Sequence, residues 1–240
     1  MGWIKLELAA MHIHRNQAGF TLIEIMIAVT ISVIITSAIY QVFHSQQRSY
    51  LIQDRVAEMQ QNLRAGLYML AREIRSAGYD PQLTGSFGFV TDFTPPDDIF
   101  ATDINYATDK NIIAFTMDSD TGPGAVNKIR AEQVVYRLSN NQLQRYNAQA
   151  ITPETTWEIV ADNIDALDFV LVDQSGAVTT NPANVAAVEI TLLVRTDEQD
   201  IKYTNTQIYR NKRGQDICPS CSNDHYRRRV LSTTIGVRNS

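Results

Sequence analysis

Cys218-Pro219-Ser220-Cys221 sets two thiols at the spacing shared by redox pairs, half zinc sites and short disulfides. A thioredoxin-like pair needs the motif at the start of a helix in a βαβ unit, yet Gln215-Asp216-Ile217 before it and Ser222-Asn223-Asp224 after it read as loop. Zinc would need two more ligands, and His225 with Asp224 or Asp216 is a thin supply. Asp118-Ser119-Asp120-Thr121-Gly122 starts like a calcium loop, but Ile129 stands where an EF-hand needs its glutamate. Asp118 and Asp120 are left as a candidate for a calcium site of another kind, beside the plainer reading as a turn. Arg210, Lys212, Arg213, Arg227, Arg228 and Arg229 outweigh Asp216 and Asp224 in their segment. Such a run could bind DNA phosphates or an acidic partner, with solvated strand and loop charges as the alternative. The histidines, His12, His14, His44 and His225, are scattered, and nothing resembles a nucleophile elbow or a phosphate-cradling loop. The sequence therefore points to no catalytic residue, no cofactor and no enzyme.

The remaining chemical oddity is Glu24, a carboxylate inside the apolar block that runs on through Ile25 to Phe43. Burying a carboxylate at membrane depth costs about 2.5 to 3.5 kcal/mol on insertion scales, less near a helix N-terminus where the dipole favours it. The block itself is uncharged from Ile25 to Phe43, and from Phe20 onward it would measure about 36 Å as a helix, enough to cross a hydrocarbon core of about 30 Å. Arg15, with His12 and His14, forms a positive flank upstream, whereas Arg48, Asp54, Arg55 and Glu58 downstream are mixed, so the N-terminus is expected to stay cytoplasmic. An ordinary secretory signal is the competitor, with Thr36-Ser37-Ala38 as its cleavage site. Against it, the apolar run is long and continues in phase into a second helical stretch.

That stretch carries Val56, Met59, Leu63, Leu67, Leu70 and Ile74 at steps of three and four, one apolar stripe along a helix. Ala77-Gly78-Tyr79-Asp80-Pro81 ends it. All seven prolines lie at Pro81 or later, and no glycine separates Gly19 from Gly66. The later residues alternate short β-prone runs with Asn, Asp, Gly and Pro. Residues 112–117, 133–138, 142–146, 166–172, 185–194, 202–208 and 229–237 are predicted as strands, with hairpin turns at Ser139-Asn140-Asn141 and Gln174-Ser175-Gly176. A formal net charge of −5, 44% hydrophobic residues and two cysteines exclude a polytopic membrane protein, a disordered chain and a disulfide-framed miniprotein.

Gly19-Phe20-Thr21-Leu22-Ile23-Glu24 ahead of an apolar run resembles the class III signal of type IV prepilins and type II secretion pseudopilins. The resemblance implies that a membrane-embedded prepilin peptidase cuts after Gly19 and that Phe20 becomes the N-methylated mature N-terminus. Glu24 would then be the acidic residue the filament needs, set to pair with a neighbouring Phe20 amine. Residues 70–79 are similar to the helix end of PilW-type minor pilins and J-type pseudopilins, and residues 227–239 to the closing strand of the PilW family. The fold this implies is α+β, the type IV pilin fold: a long N-terminal helix, transmembrane then amphipathic, packed on a mostly antiparallel β-sheet head. Its parts would be a leader at 1–19, with Met11 as an alternative start, the long helix at 20–77, transmembrane over about 20–43, and an α+β head at 78–240.

The implied function is that of a PilW-like minor pilin in a priming or tip complex of a type IV pilus, working with other minor and major pilins, the prepilin peptidase and the inner-membrane assembly platform. A J-type pseudopilin of a type II secretion system is the alternative; an anchored CxxC thiol oxidoreductase is the alternative of another class. The expected location is the inner membrane, single-pass with the head periplasmic, and afterwards the pilus at the cell surface. Outside the cytoplasm, the Cys218 and Cys221 pair is expected to form a disulfide that staples the loop before the last strand.

Overall fold

A computed structural model describes residues 19–81, 87–93, 102–118, 133–146 and 157–238; the leader up to Ala18 and Asp120 lie outside these. The helix α1 (Leu22–Ile74) runs without interruption, as a stretch lacking Pro throughout and Gly before Gly66 permits. The chain divides into two units, one ending at Tyr50 and one beginning at Leu51.

In the first unit α1 shows its apolar side chains all round: Leu22, Ile27, Val33 and Ile39 are all more than half exposed. Its polar residues are turned back on the helix, Thr30 Oγ1 donating to the Met26 carbonyl at 2.8 Å and Ser32 Oγ to that of Ala28 at 2.7 Å. Among the described residues this is the one helix long and apolar enough to cross a membrane.

The second unit is α+β. The last six turns of α1 bury Met59, Leu63, Leu67, Leu70 and Ile74, five positions of the sequence stripe, against antiparallel sheets. After the short pair β1 (Asp92–Phe93) and β2 (Thr102–Asp103) come β3 (Ile112–Thr116), β4 (Gln133–Ser139), β5 (Gln142–Tyr146) and β6 (Trp157–Ala161), a four-stranded meander in that order. The strands β7 (Ile164–Val172), β8 (Ala187–Arg195) and β9 (Arg228–Gly236) form a three-stranded sheet. The hairpin between β4 and β5 turns through Asn140 (φ 52°) and Asn141 (φ 59°), the left-handed pair that a two-residue turn requires. Gly66 is where α1 comes closest: a Cβ there would lie 3.2 Å from Leu143 of β5 and 3.6 Å from Leu192 of β8.

The helix stops at Ile74, three residues before the end the sequence predicts, and turns lead on to Gly78 at φ 71°, whose N–H is spent on the sheet, donating to the Thr116 carbonyl at 3.0 Å. Asp118 N–H returns a bond to the Tyr79 carbonyl at 2.8 Å, so the chain leaving α1 is stitched to the end of β3. Glu73 serves the same junction. Glu73 accepts from Arg145 Nε of β5 at 3.0 Å and from the Tyr136 hydroxyl of β4 at 2.8 Å, partners on the sheet rather than on its own helix. Burial, with the Glu73 charge beside it, pushes the Tyr136 hydroxyl's pKa up, which keeps it a donor.

Two strand readings need correction. Residues 202–208 belong to no ladder, although their alternation is strand-like. The β6 strand was not foreseen because a bulge interrupts its period: Leu143 faces Ala161 while Gln144 faces Ile159, leaving Val160 extra and Ile159 exposed.

Candidate functional site

Two places bear on function. The first is the start of α1. Thr21 is the N-cap and Glu24 the third helical residue, and they form a reciprocal capping box. Glu24 Oε2 accepts from Thr21 N–H and from Thr21 Oγ1, both at 2.8 Å, while Glu24 N–H donates to Thr21 Oγ1 at 3.3 Å. In lipid, where water cannot serve the free N–H groups of a helix start, these bonds supply partners that the first turn otherwise lacks. Phe20 is exposed and Gly19 leads into the cap from outside the helix. Both members of the box lie after the Gly19-Phe20 bond, so a cut there leaves the cap whole and places an amine one residue before it.

The second place is the long connection between β8 and β9, residues 196–227, which covers the outer face of the three-stranded sheet. Its inner surface is a small cluster of Ala166, Leu193, Tyr209 and Cys221, with Ile217, Cys218 and Val230 against it. Cys218 and Cys221 are joined by a disulfide. The Cys221 carbonyl accepts from the buried Asn205 amide at 2.5 Å and from Arg228 Nη1 at 3.3 Å, so the stapled turn is tied to both the loop and the last strand. A Cys218→Ser, Cys221→Ser chain is expected to lose about 2 kcal/mol of head stability, the order the chain-entropy account gives for so short a loop, measurable as a lower urea midpoint. An oxidoreductase centre would instead show disulfide exchange in the wild type and none in this double variant.

The cationic run is distributed by the fold rather than gathered. Arg228 is buried and donates to Asp165 Oδ2 at 2.5 Å and to both Asp224 oxygens at 2.5 and 2.6 Å. Asp165 is itself aimed inward by a bulge in β7, where Ile164 faces Val194 but Ala166 faces Leu193; it also takes Arg195 at 3.2 Å. Arg227 pairs with Asp200 at 2.8 Å and lies over the Tyr203 ring; Arg213 pairs with Glu189 at 2.7 Å; Lys212 reaches the Thr234 hydroxyl. Arg210 and Arg229 are exposed. Four of the six cations are thus committed to bonds within the head. Adjacency in sequence could not show this, because Asp165, Glu189 and Asp200 arrive from elsewhere in the chain. Of the calcium candidates, Asp118 is buried at the end of β3 and Asp120 lies outside the described residues. Among the described residues no three His, Cys, Asp or Glu side chains gather as a metal site would need.

Comparison with known proteins agrees with the N-terminal geometry. Residues 14–40 match the prokaryotic N-terminal methylation motif, which takes in Gly19, Phe20 and Glu24. No curated protein matches the sequence. Among solved structures, the type IV-like pilin TTHA1219 from Thermus thermophilus is similar at 15% identity and a TM-score of 0.48, over 75% of this chain and 96% of that one. Residues 53–211, about two thirds of the chain, match the sequence family described as prepilin peptidase-dependent protein B; the chain belongs to that family, as a type IV pilin-like protein.

Proposed function

We propose that this chain is a PilW-like minor pilin: a single-pass inner-membrane precursor, cut after Gly19 by a prepilin peptidase and methylated on Phe20, that joins other pilin subunits in priming or capping a type IV pilus. The carrying observation is the methylation motif set on an exposed apolar helix whose start is capped by Glu24. A signal peptide would leave the membrane segment behind; a cut on the cytoplasmic side of α1 keeps it as an anchor. The head lies across the membrane from the cut, in keeping with a disulfide in its outer loop. Its work is assembly, without a catalytic step. Glu24 compensates the cationic amine of a neighbouring Phe20, and the apolar faces of α1 pack with other helices through the platform that extrudes them.

Mass spectrometry of sheared surface filaments is the test. A peptide beginning at methylated Phe20 is the expected result. Uncut Gly19-Phe20 in membranes, with no such peptide in filaments, overturns the proposal. Deletion of the gene should cost surface pili; a loss of secreted hydrolases with pili intact would assign the chain to a type II secretion pseudopilus instead.

A further inference from the structure

The segment 202–208 reads as a strand in sequence and forms no ladder; after a turn at Ile201-Lys202 its backbone bonds fall at alternate residues, the pattern of an extended chain. Tyr203 N–H donates to the Asp200 carbonyl at 2.7 Å and the Tyr203 carbonyl faces His225 Nδ1 at 2.6 Å. Asn205 exchanges two bonds with the returning arm, its N–H to Asp224 at 2.8 Å and its carbonyl from Asn223 at 2.7 Å; the Tyr209 carbonyl accepts from Ile217 at 3.0 Å. In an extended chain successive residues direct N–H and C=O to opposite sides. With 203, 205 and 209 committed inward, the N–H and C=O groups of Thr204, Thr206 and Ile208 form the outer edge, and they bond to no described residue. The side chains of these three residues are exposed, Ile208 at 63%.

We infer that this edge docks an extended segment from the head of a neighbouring pilin-like subunit, acidic at its two ends and β-branched or apolar between. The inference rests on the assembly reading above. Edge addition supplies main-chain bonds, and the alternate side chains select the partner. Lys202, in the turn before the edge, and Arg210, just after it, flank it at its two ends. Both are exposed and neither is ion-paired among the described residues, unlike Arg213, Arg227 and Arg228. Their placement excludes a second copy: pairing this edge with itself, in either direction, sets cation against cation at both ends. The edge is also held in place beforehand. Buried Asn205 and Tyr209 fix it from below and the Cys218–Cys221 turn fixes Asn205, so little chain entropy is lost on docking.

The test uses the full chain in detergent micelles, mixed in turn with each purified pilin-like subunit of the same cell, and follows amide hydrogen exchange. One subunit is expected to protect the amides of Thr204, Thr206 and Ile208. Thr206→Pro removes an N–H that has no partner in the free chain, so its melting temperature should hold while affinity falls about tenfold, the scale of one main-chain bond. Thr206→Val should bind as the wild type does. If the proline variant folds poorly, the Lys202→Glu, Arg210→Glu chain carries the test and should lose at least as much affinity. A complex that forms without protecting these amides overturns the inference and leaves the pilin assignment standing. Protection that grows with the concentration of the chain alone identifies a second copy and overturns it too. Failure to bind any pilin-like subunit overturns both readings.

Discussion

Arg228→Leu is expected to destabilise the head by about 3–5 kcal/mol, the usual cost of removing one member of a buried charge cluster. The Arg228 side chain is 3% exposed and Asp165 5%, and water cannot replace the lost guanidinium. Asp165 would keep Arg195 as its one cation, with the Asn141 amide beside it, and the Cys221 carbonyl and both Asp224 oxygens would lose donors, so the damage should spread from β9 into the stapled turn. Arg228→Lys should recover little of this, since an ammonium cannot serve two carboxylates and a carbonyl in one plane. Arg229→Leu is the control from the neighbouring position. Its side chain is exposed, and the change should stay within about 0.5 kcal/mol. Urea unfolding of the three variants would check the order. The same cluster sets an acid limit. Hydrogen bonds from Arg228 hold the Asp224 carboxyl below the usual aspartate range. Its contribution is therefore complete above the ordinary aspartate pKa of about 3.9 and is lost as pH falls through the depressed value. The acid midpoint of the wild type should lie below that of an Asp224→Asn chain.

Legibility in the sequence followed the range of the interaction. The stripe from Met59 to Ile74, the Asn140-Asn141 turn and the turn at Gly78 are local matters of period and backbone conformation, and the sequence reading of each agrees with the structure. The two bulges were not readable: an extra residue at Val160 or Asp165 breaks the alternation on which a strand reading depends. Nor could sequence show that Glu73 leaves its own helix for Arg145 and Tyr136, or that Arg228 sits buried while Arg229 faces water. Each is decided by a partner dozens of residues away. The segment 202–208 is the instructive miss. Its residues have strand character, and the structure leaves them outside any ladder with one side of the backbone unused. At the N-terminus the motif identified Glu24, while the capping bonds to Thr21 came only from the coordinates; a Thr three residues before a Glu is the signal that could have found them.

Substitutions at Gly19 and Glu24 should stop assembly at two different steps. A side chain at Gly19 meets nothing within 4 Å, so Gly19→Leu leaves the chain's own packing untouched and any loss belongs to the peptidase. Cleavage should fall by about 100-fold or more, the scale of misplacing a scissile bond. The chain would accumulate in membranes at full length, with a head as stable as the wild type. Glu24→Val should be cut and methylated normally, because the Gly19-Phe20 bond is untouched, and yet be missing from filaments. That variant loses two things at once, the capping bonds to Thr21 and the charge proposed to compensate a neighbouring amine. Glu24→Gln separates them: its amide oxygen still accepts from Thr21, but it brings no charge. Thr21→Ala makes the converse change, costing the helix start about 1 kcal/mol while leaving the carboxylate in place. If charge compensation is what assembly needs, Gln should fail almost as completely as Val, and Thr21→Ala should still enter filaments. Equal incorporation of Gln and wild type would make Glu24 a capping residue and nothing more. The readouts are the ratio of methylated Phe20 peptide to uncut precursor in membranes and the same peptide in sheared filaments, which together place each block before or after the cut.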